Sequence, residues 1–211
     1  MHIKLLKVKP TYMSESEIDG SDIYLSDFVI EKNKFYLVKG RSGSGKTSLL
    51  NFIFGKSLSF NGDIFYDEIN TKSIKDYSVF RLSKISYVFQ DLKLFDKLTA
   101  YENIQLKNNL LNTVDEVQID NWFKDLNIFE KKHSLVSTMS LGERQRVAII
   151  RAICQPYEVL LLDEPFSHID KNNIKKASEI IVKRTKEQNA TLLLATLDDE
   201  YLFEFDVKKK L

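Results

Sequence analysis

The sequence contains very little cysteine, has no dominant charge and lacks a long hydrophobic run. Cys154 is the single cysteine among 211 residues, which excludes a disulfide within the chain and a cysteine-cluster metal site. We expect it to be a small core residue. The 31 basic and 30 acidic residues nearly cancel, so charge gives no reason to expect nucleic acid as a partner. No apolar run approaches the roughly 18 residues that a membrane-spanning helix needs. We therefore expect an intracellular protein, with any membrane spans supplied by another chain.

Glycine is also scarce, and the few glycines are concentrated in one place. Three of the seven lie in the octet Gly40-Arg41-Ser42-Gly43-Ser44-Gly45-Lys46-Thr47, which fits the phosphate-binding pattern Gly-x-x-x-x-Gly-Lys-[Ser/Thr]. A predicted buried strand, 34–38, precedes this P-loop, and a predicted helix, 48–54, follows it. Glycines allow the backbone N–H groups to approach phosphate oxygens, and the helix N-terminus adds partial positive charge. A chance match in a Gly/Ser loop is the alternative, and the strand–loop–helix setting argues against it.

The motif predicts a role for each polar group of the loop. Lys46 is expected to reach the β- and γ-phosphates, and the Thr47 hydroxyl is expected to bind Mg²⁺. The residues of this segment that we predict to bind the nucleotide are Gly40, Ser42, Gly43, Ser44, Gly45, Lys46, Thr47 and Ser48.

A second apolar strand, 159–162, ends in the two carboxylates of Asp163 and Glu164. Adjacent carboxylates at the end of a strand buried on both faces are costly unless they bind a metal or do chemistry. We predict that Asp163 holds Mg²⁺, directly or through water, and that Glu164 polarises an attacking water. The alternative is an acidic pair that caps the next helix, and the upstream P-loop favours the first interpretation.

Two further side chains are candidates for the same site. Gln90 follows the apolar strand 85–89, and the carboxyl ends of strands in an α/β sheet are where ligands bind. Tyr12 precedes a polar connection, 13–20. It either stacks on an adenine ring or is a partly buried aromatic at a strand end, and the sequence leaves both alternatives open.

The remaining elements are predicted from periodicity and turn residues. Strands at 3–8 and 23–30 are expected to form a small antiparallel sheet, and Asn61-Gly62-Asp63 is expected to be a turn. The stretch 202–207 alternates like an edge strand, and Lys208 to Lys210 are expected to be a solvated end.

The pattern becomes helical between Leu98 and about Phe129. Thr99 and Glu102 have the spacing of a capping box. Helical spacing of apolar residues usually marks a buried face, so we expect a subdomain core rather than a binding stripe. Its predicted members are Val117, Trp122, Phe123, Leu126 and Phe129.

Taken in order, these motifs resemble one family, the ATP-binding subunits of ABC transporters. The octet matches Walker A, Gln90 matches the Q-loop, and 159–164 matches Walker B. The run 139–148, Met-Ser-Leu-Gly-Glu-Arg-Gln-Arg-Val-Ala, resembles the family's signature sequence. Ser-His-Ile-Asp at 167–170 stands where the D-loop belongs. The resemblance covers essentially the whole chain.

The resemblance implies an α/β fold: a P-loop NTPase core with a mainly parallel sheet, an N-terminal antiparallel β-subdomain and an inserted α-helical signature subdomain. It implies one ABC ATPase domain over 1–211, with the helical subdomain at about 91–153. It also implies that Gln90 contacts both nucleotide and Mg²⁺, and that the signature residues of one chain bind the nucleotide held by another. The signature residues concerned are Ser140, Gly142 and Glu143.

The implied activity is hydrolysis of ATP, with Mg²⁺, in a head-to-tail dimer. The implied partners are a transmembrane permease and a second ATP-binding subunit, identical or different, and not nucleic acid. The implied location is the cytoplasm, on the inner face of the cell membrane through the permease. Within the family, the segment 98–104 and the Gly-Glu-Arg-Gln-Arg run look like those of the lipoprotein-release, macrolide-export and cell-division branch and of related antimicrobial-peptide transporters.

Two positions depart from the family pattern. Leu141 replaces the first signature glycine, and Leu197 stands where the family has a histidine after the last core strand. A leucine cannot hydrogen-bond a γ-phosphate, so an ATP-binding clamp with impaired hydrolysis is the competing hypothesis.

His168 occupies the variable D-loop position, and we assign it no role. A DNA-repair ATPase would need a coiled-coil insertion or basic stripe, and a small-molecule kinase would leave the signature loop without a role.

Overall fold

The computed structural model describes residues 1–197 and 203–211, in which strands and helices alternate along most of the chain. The strands are β1 (Ile3–Pro10), β2 (Asp27–Ile30), β3 (Phe35–Lys39), β4 (Phe60–Tyr66), β5 (Ile69–Asn70), β6 (Ile85–Val88), β7 (Val159–Asp163), β8 (Thr191–Thr196) and β9 (Val207–Lys210). The α-helices are α1 (Lys46–Ile53), α2 (Ser78–Ser83), α3 (Ala100–Asn108), α4 (Glu116–Asp125), α5 (Leu141–Ile153) and α6 (Lys171–Glu187).

A five-stranded parallel sheet, in the order β6-β7-β8-β3-β9, forms the centre of the fold. Every residue of β7 and β8 is buried, because the sheet separates two hydrophobic cores. Leu160 and Leu162 belong to the core formed with α3 to α6, while Val159 and Leu161 belong to the core shared with α1 and the N-terminal strands. Burial on both faces explains why these strands are continuous apolar runs.

The N-terminal part forms an antiparallel sheet in the order β2-β1-β4-β5. The expected turn at Asn61-Gly62-Asp63 is wrong, because these residues lie inside β4. Lys7 and Val8 of β1 stand opposite Gly62, which makes this point a β-bulge. Gly62 has φ +80°, and a Cβ there would lie 2.4 Å from the Leu6 carbonyl oxygen. The glycine signal marked a bulge rather than a chain reversal.

The strand expected at 23–30 is also too long, since only Asp27–Ile30 is extended. Local hydrogen bonds hold the residues before it in turns. The Ser21 hydroxyl accepts from the backbone N–H of Tyr24 (2.9 Å), and the Ser26 hydroxyl donates to the Ile23 carbonyl (2.8 Å). Serine side chains compete with strand pairing in this way.

The helical part of the chain has the predicted start and most of the predicted core. The Thr99 hydroxyl accepts from Glu102 N, and the Glu102 carboxylate accepts from Thr99 N, which confirms the capping box. Trp122, Phe123 and Leu126 are buried. Cys154 is buried as expected, and burial raises the pKa of its thiol to about 12, so it stays an unreactive thiol.

Two of the predicted core positions in this region are wrong. Val117 is 68% exposed, because the buried face of α4 passes through Ile119, Trp122 and Phe123. Val117 is two positions before Ile119 and therefore lies on another face of the helix. Phe129 is also exposed, and it packs under the Lys124 ammonium, 5.0 Å from the ring centroid.

The predicted edge strand at 202–207 is displaced along the chain. Leu202 lies outside the described residues, and the strand begins only at Val207 and continues through Lys210. Phe203 is instead buried against the core, near the Phe166 ring. The Asp206 carboxylate accepts from Phe35 N (2.7 Å), which holds the chain beside β3 just before the strand begins. Lys208 to Lys210, which were expected to be a solvated end, pair through their backbone with β3 at the edge of the parallel sheet.

These elements confirm the predicted fold class, with a parallel P-loop NTPase core, an N-terminal antiparallel sheet and a helical part. Within residues 1–197 and 203–211, no helix has both the length and the apolar character required to cross a bilayer.

The two faces of α4 provide a test of this packing. Phe123→Ala is expected to lower the free energy of unfolding by about 3–5 kcal/mol, because it leaves a cavity in a closed core. Val117→Ala, the matched control on the exposed face, is expected to change it by less than about 0.5 kcal/mol. Urea denaturation of both variants gives these values. Equal effects of the two substitutions would contradict the assignment of the buried face.

Candidate functional site

The P-loop links the end of β3 to the start of α1. Gly43 and Gly45 have φ of +80° and +89°, in the left-handed region that glycine enters at little cost. A Cβ on Gly40 would lie 2.2 Å from Ser44 Oγ, so the loop closes tightly on itself. Helix α1 begins at Lys46, two residues before the predicted helix 48–54, so Lys46 lies at a helix N-terminus.

The Lys46 side chain is buried and lies between the loop and the Walker B strand. Its ammonium donates to the carbonyl oxygens of Gly40 (2.6 Å) and Arg41 (3.2 Å). It also lies 3.6 Å from Glu164 Oε1. This cation is therefore held at a defined point of the site.

Asp163 ends β7 and is only 1% exposed. Tyr87 donates its hydroxyl to Asp163 Oδ2 (3.2 Å), while Oδ1 has no hydrogen-bond partner within the described part of the chain. Burial raises the pKa of the Asp163 carboxyl, and the adjacent Glu164 charge acts in the same direction. Hydrogen bonding by the Thr47 and Tyr87 hydroxyls opposes this rise in the pKa, and the Lys46 charge does so to a smaller extent. Neighbouring hydroxyls and a cation thus favour the ionised form of Asp163 against the effect of burial.

Glu164 follows β7 in the left-handed region, with φ 47°. Its backbone N–H donates to the Ala195 carbonyl (3.0 Å), and its Oε2 accepts from the Thr196 hydroxyl (3.2 Å). The neighbouring strand β8 thus fixes both the backbone and the carboxylate. A non-glycine residue in this region costs about 1–3 kcal/mol and is typical of functional sites.

One cavity of about 600 Å³ brings most of the predicted groups together. Gln90 enters it from the end of β6, and its Oε1 accepts from the Thr47 hydroxyl (3.2 Å). Tyr12 is exposed at the rim, and its hydroxyl bonds with Ser48 Oγ. The lining residues are Tyr12, Met13, Glu17, Ser42, Gly43, Gly45, Lys46, Thr47, Ser48, Gln90, Glu164, Ser167, His168 and Leu197.

The signature residues lie outside this cavity. Ser140 is the N-cap of α5, with its hydroxyl accepting from Glu143 N (3.3 Å). The Glu143 carboxylate accepts from Ser140 N (2.8 Å), so it is occupied in a capping box. Leu141 is 47% exposed, in the first turn of the helix. Ser140, Gly142 and Glu143 are therefore not among the residues that line the cavity of this chain's own P-loop.

Three positioning residues were missed by the sequence analysis. The Tyr24 hydroxyl donates to the Gly45 carbonyl (2.7 Å), and burial raises its pKa, so it stays a donor. Tyr87 supports Asp163 as described above. The buried Gln145 connects α5 to the D-loop, donating to the Glu164 carbonyl (3.1 Å) and accepting from His168 N (3.0 Å). Gln145 and Tyr87 lay in recognised motifs, the signature run and the segment before Gln90, but neither was assigned a role.

A glycine-rich loop at the end of a parallel strand, with two carboxylates ending a second strand, defines a P-loop ATPase. The family model for ABC transporters matches residues 25–167, about two thirds of the chain. The chain belongs to the ABC transporter family, as one of its ATP-binding subunits, with the family's ATPase domain.

Individual relatives agree with this assignment. The chain is 31% identical over 195 residues to YvcR of Bacillus subtilis strain 168, an uncharacterised ABC transporter ATP-binding protein, covering 90% of this chain and 75% of that one. It is 29% identical over 178 residues to the lipoprotein-releasing system ATP-binding protein LolD of Buchnera aphidicola subsp. Schizaphis graminum, covering 82% and 78%. Among solved structures, a dimeric post-hydrolysis state of the ATP-binding cassette MJ0796 bound to ADP and Pi matches with a TM-score of 0.79. The identity is 27%, covering 93% and 88% of the chains.

Lys46→Ala is expected to abolish useful ATP binding, because it removes the one buried ammonium that faces the cavity from the P-loop. Calorimetric titration with ATP and Mg²⁺ measures this change. Lys75→Ala, at an exposed lysine away from the cavity, is the matched control and should leave the affinity unchanged. An unchanged dissociation constant in Lys46→Ala would refute the assignment of the site.

Proposed function

We propose that this chain binds ATP with Mg²⁺ and hydrolyses it in a head-to-tail dimer that drives a membrane permease. The observation that carries the proposal is the meeting of Lys46, Thr47, Gln90 and Glu164 in one cavity, next to the buried Asp163. A cation, two neutral oxygen donors and a held carboxylate are the groups that phosphoryl transfer to water requires.

In this proposal the P-loop residues Gly40 to Ser48 hold the phosphates through backbone N–H groups, the Lys46 ammonium and the N-terminus of α1. Tyr12, exposed at the rim and bonded to Ser48, stacks on the adenine ring. An aromatic ring presented at a cavity edge is a suitable platform for a base.

The residues present also fit a magnesium ion. Thr47 Oγ1 and Gln90 Oε1 are 3.2 Å apart, and Asp163 Oδ1 is a buried oxygen without a hydrogen-bond partner within the described residues. All three are oxygen donors, which Mg²⁺ prefers. Bound there, Mg²⁺ would neutralise charge on the phosphates. The proposed site has a single carboxylate ligand. Within the described segments, no group of three or more His, Cys, Asp or Glu residues is placed to hold a metal ion.

Glu164 is proposed to orient the attacking water. Thr196 and the backbone bond to Ala195 hold its carboxylate at the end of β7. A carboxylate fixed in this way polarises a water molecule without having to be reorganised during the reaction.

The signature surface of this chain is proposed to complete a site on a second subunit, identical or different. The separation of Ser140, Gly142 and Glu143 from the chain's own cavity supports this arrangement. The cassette MJ0796 was solved as a dimer, which also supports it. Residues 1–211 would act as one ABC ATPase domain, with about 91–153 as the helical subdomain.

The proposed location is the cytoplasmic face of the cell membrane, where a permease supplies the spans. The similarity to LolD, named as part of a lipoprotein-releasing system, supports a role in the branch that includes lipoprotein release. Nucleic acid is not proposed as a partner, since the 31 basic and 30 acidic residues balance.

A regulatory clamp with slow hydrolysis is a second candidate function. Leu197 carries this alternative: it is 55% exposed in the nucleotide cavity and places an apolar side chain there. The clamp and the transporter subunit share the binding site and differ in turnover.

Glu164→Gln is expected to leave ATP binding intact and to favour a closed dimer, because it keeps the size of the side chain and removes the charge that orients water. Size-exclusion chromatography with and without ATP measures the dimer. Glu179→Gln, at an exposed position of α6, is the control. If neither the wild type nor Glu164→Gln ever dimerises with ATP, this chain does not form the head-to-tail dimer with itself.

The double variant Leu141→Gly with Leu197→His is expected to raise turnover at least tenfold, with little change in ATP affinity. Loss of one preorganised donor typically costs about 10²–10³ in rate, and Leu197 lacks such a donor. Steady-state phosphate release at saturating MgATP measures the gain. Wild-type turnover of several per second on the ~1–100 s⁻¹ scale of phosphoryl-transfer enzymes, with no gain in the variant, would contradict this reasoning.

A further inference from the structure

His168 lies in the nucleotide cavity although the D-loop pattern gives it no role. It lines the same space as Lys46, Glu164 and Leu197. Its side chain is exposed, as are those of Leu197 and Ser167. The cavity that carries an apolar group at 197 thus contains an imidazole from a different loop.

Gln145 holds the backbone of this loop in a defined position. Its Oε1 accepts from His168 N (3.0 Å), and its Nε2 donates to the Glu164 carbonyl (3.1 Å). A backbone N–H can only donate and a carbonyl can only accept, so these two bonds settle the orientation of the amide. The second hydrogen on Nε2 is then directed to Ser167 Oγ (3.2 Å).

This arrangement favours one position for the proton of the His168 ring. Ser167 Oγ lies 2.8 Å from His168 Nδ1. The Ser167 hydroxyl already accepts one bond from Gln145, and His168 Nδ1 is the acceptor that the described chain offers to its proton. On this basis we assign the proton of the neutral ring to Nε2, which has no protein partner among the described residues.

We propose that the Nε2–H of His168 donates a hydrogen bond to a phosphate oxygen of the nucleotide bound in this cavity, supplying a donor that Leu197 does not. The inference rests on the proposed ATP site. A fixed N–H without a protein acceptor is a preorganised donor, and the phosphates bring the negative charge that it stabilises. The bonds from Gln145 and Ser167 orient the ring before the nucleotide binds.

Nitrogen-15 NMR of the imidazole rings tests the contact without relying on activity. The chain has three histidines, and His168→Gln assigns the resonances of His168 by their loss. We expect the free chain to show His168 protonated at Nε2. A non-hydrolysable ATP analogue with Mg²⁺ should then shift this Nε2 resonance more than those of His2 and His133, and AMP should shift it much less.

Calorimetry on the same samples separates this inference from the proposed function. If the ATP analogue does not bind, the proposed ATP site fails. If it binds while His168 is protonated at Nδ1, or while its Nε2 resonance does not shift, the inference about His168 is overturned and the ATP site remains.

Kinetics of the full chain provide a second test. His168→Ala is expected to lower kcat by about 10²-fold, with little change in nucleotide affinity, as for other single donors. Adding Leu197→His to this variant should restore turnover at least tenfold, because an imidazole again faces the cavity. His133→Ala, an exposed histidine outside the site, is the control and should have wild-type turnover.

The rescue distinguishes a donor from a structural residue. A residue that only holds the loop would not be replaced by a histidine at position 197, which follows β8 in a different segment of the chain. Unchanged kcat in His168→Ala, or a loss that Leu197→His does not recover in a variant with normal thermal stability, would overturn the proposal.

Discussion

The site depends on the burial of three charged side chains at the carboxyl edge of an apolar sheet. Lys46 and Asp163 are almost inaccessible, and Glu164 lies beside them. Removing a charge from water is costly unless hydrogen bonds or opposite charges replace the water. The loop carbonyls, Tyr87 and Thr196 supply those bonds, but Asp163 keeps one oxygen without a partner in the described chain. The fold thus maintains a charged pocket that a phosphate and its cation would complete.

A further set of hydrogen bonds connects this pocket to the signature helix. Gln145 on α5 bonds to the Glu164 carbonyl, to Ser167 and to the backbone of His168. These bonds join the carboxylate loop to the helix whose N-terminus carries the signature residues. A Cβ at Gly142 would lie 2.5 Å from the His168 carbonyl oxygen, so the two segments are also in steric contact. The signature helix and the nucleotide cavity are therefore connected by hydrogen bonds and by close packing.

The sequence predicted most of the groups that line the cavity, because they lie in short motifs between a strand and a helix. Lys46, Thr47, Asp163 and Glu164 all have this local origin. It did not predict Tyr24 or Tyr87, whose partners are 21 and 76 residues away. Tertiary packing also determines the bulge at Gly62, which the sequence indicated as a turn. It likewise determines the start of β9 at Val207, since the alternation of apolar residues over 202–207 indicated only a half-buried segment.

The two departures from the family pattern lie at positions where the fold leaves room for a side chain. Leu141 and Leu197 are about half exposed, so their side chains enter solvent rather than a packed core. By contrast, two glycines of the motifs are at positions that exclude a side chain: a Cβ on Gly40 would meet Ser44 Oγ, and one on Gly142 would meet the His168 carbonyl. Packing therefore preserves glycine at 40 and 142, whereas at 141 and 197 it permits a leucine. Under the proposed function, a chain can carry leucines at these two positions without losing its fold, and their effect is expected in turnover rather than in stability.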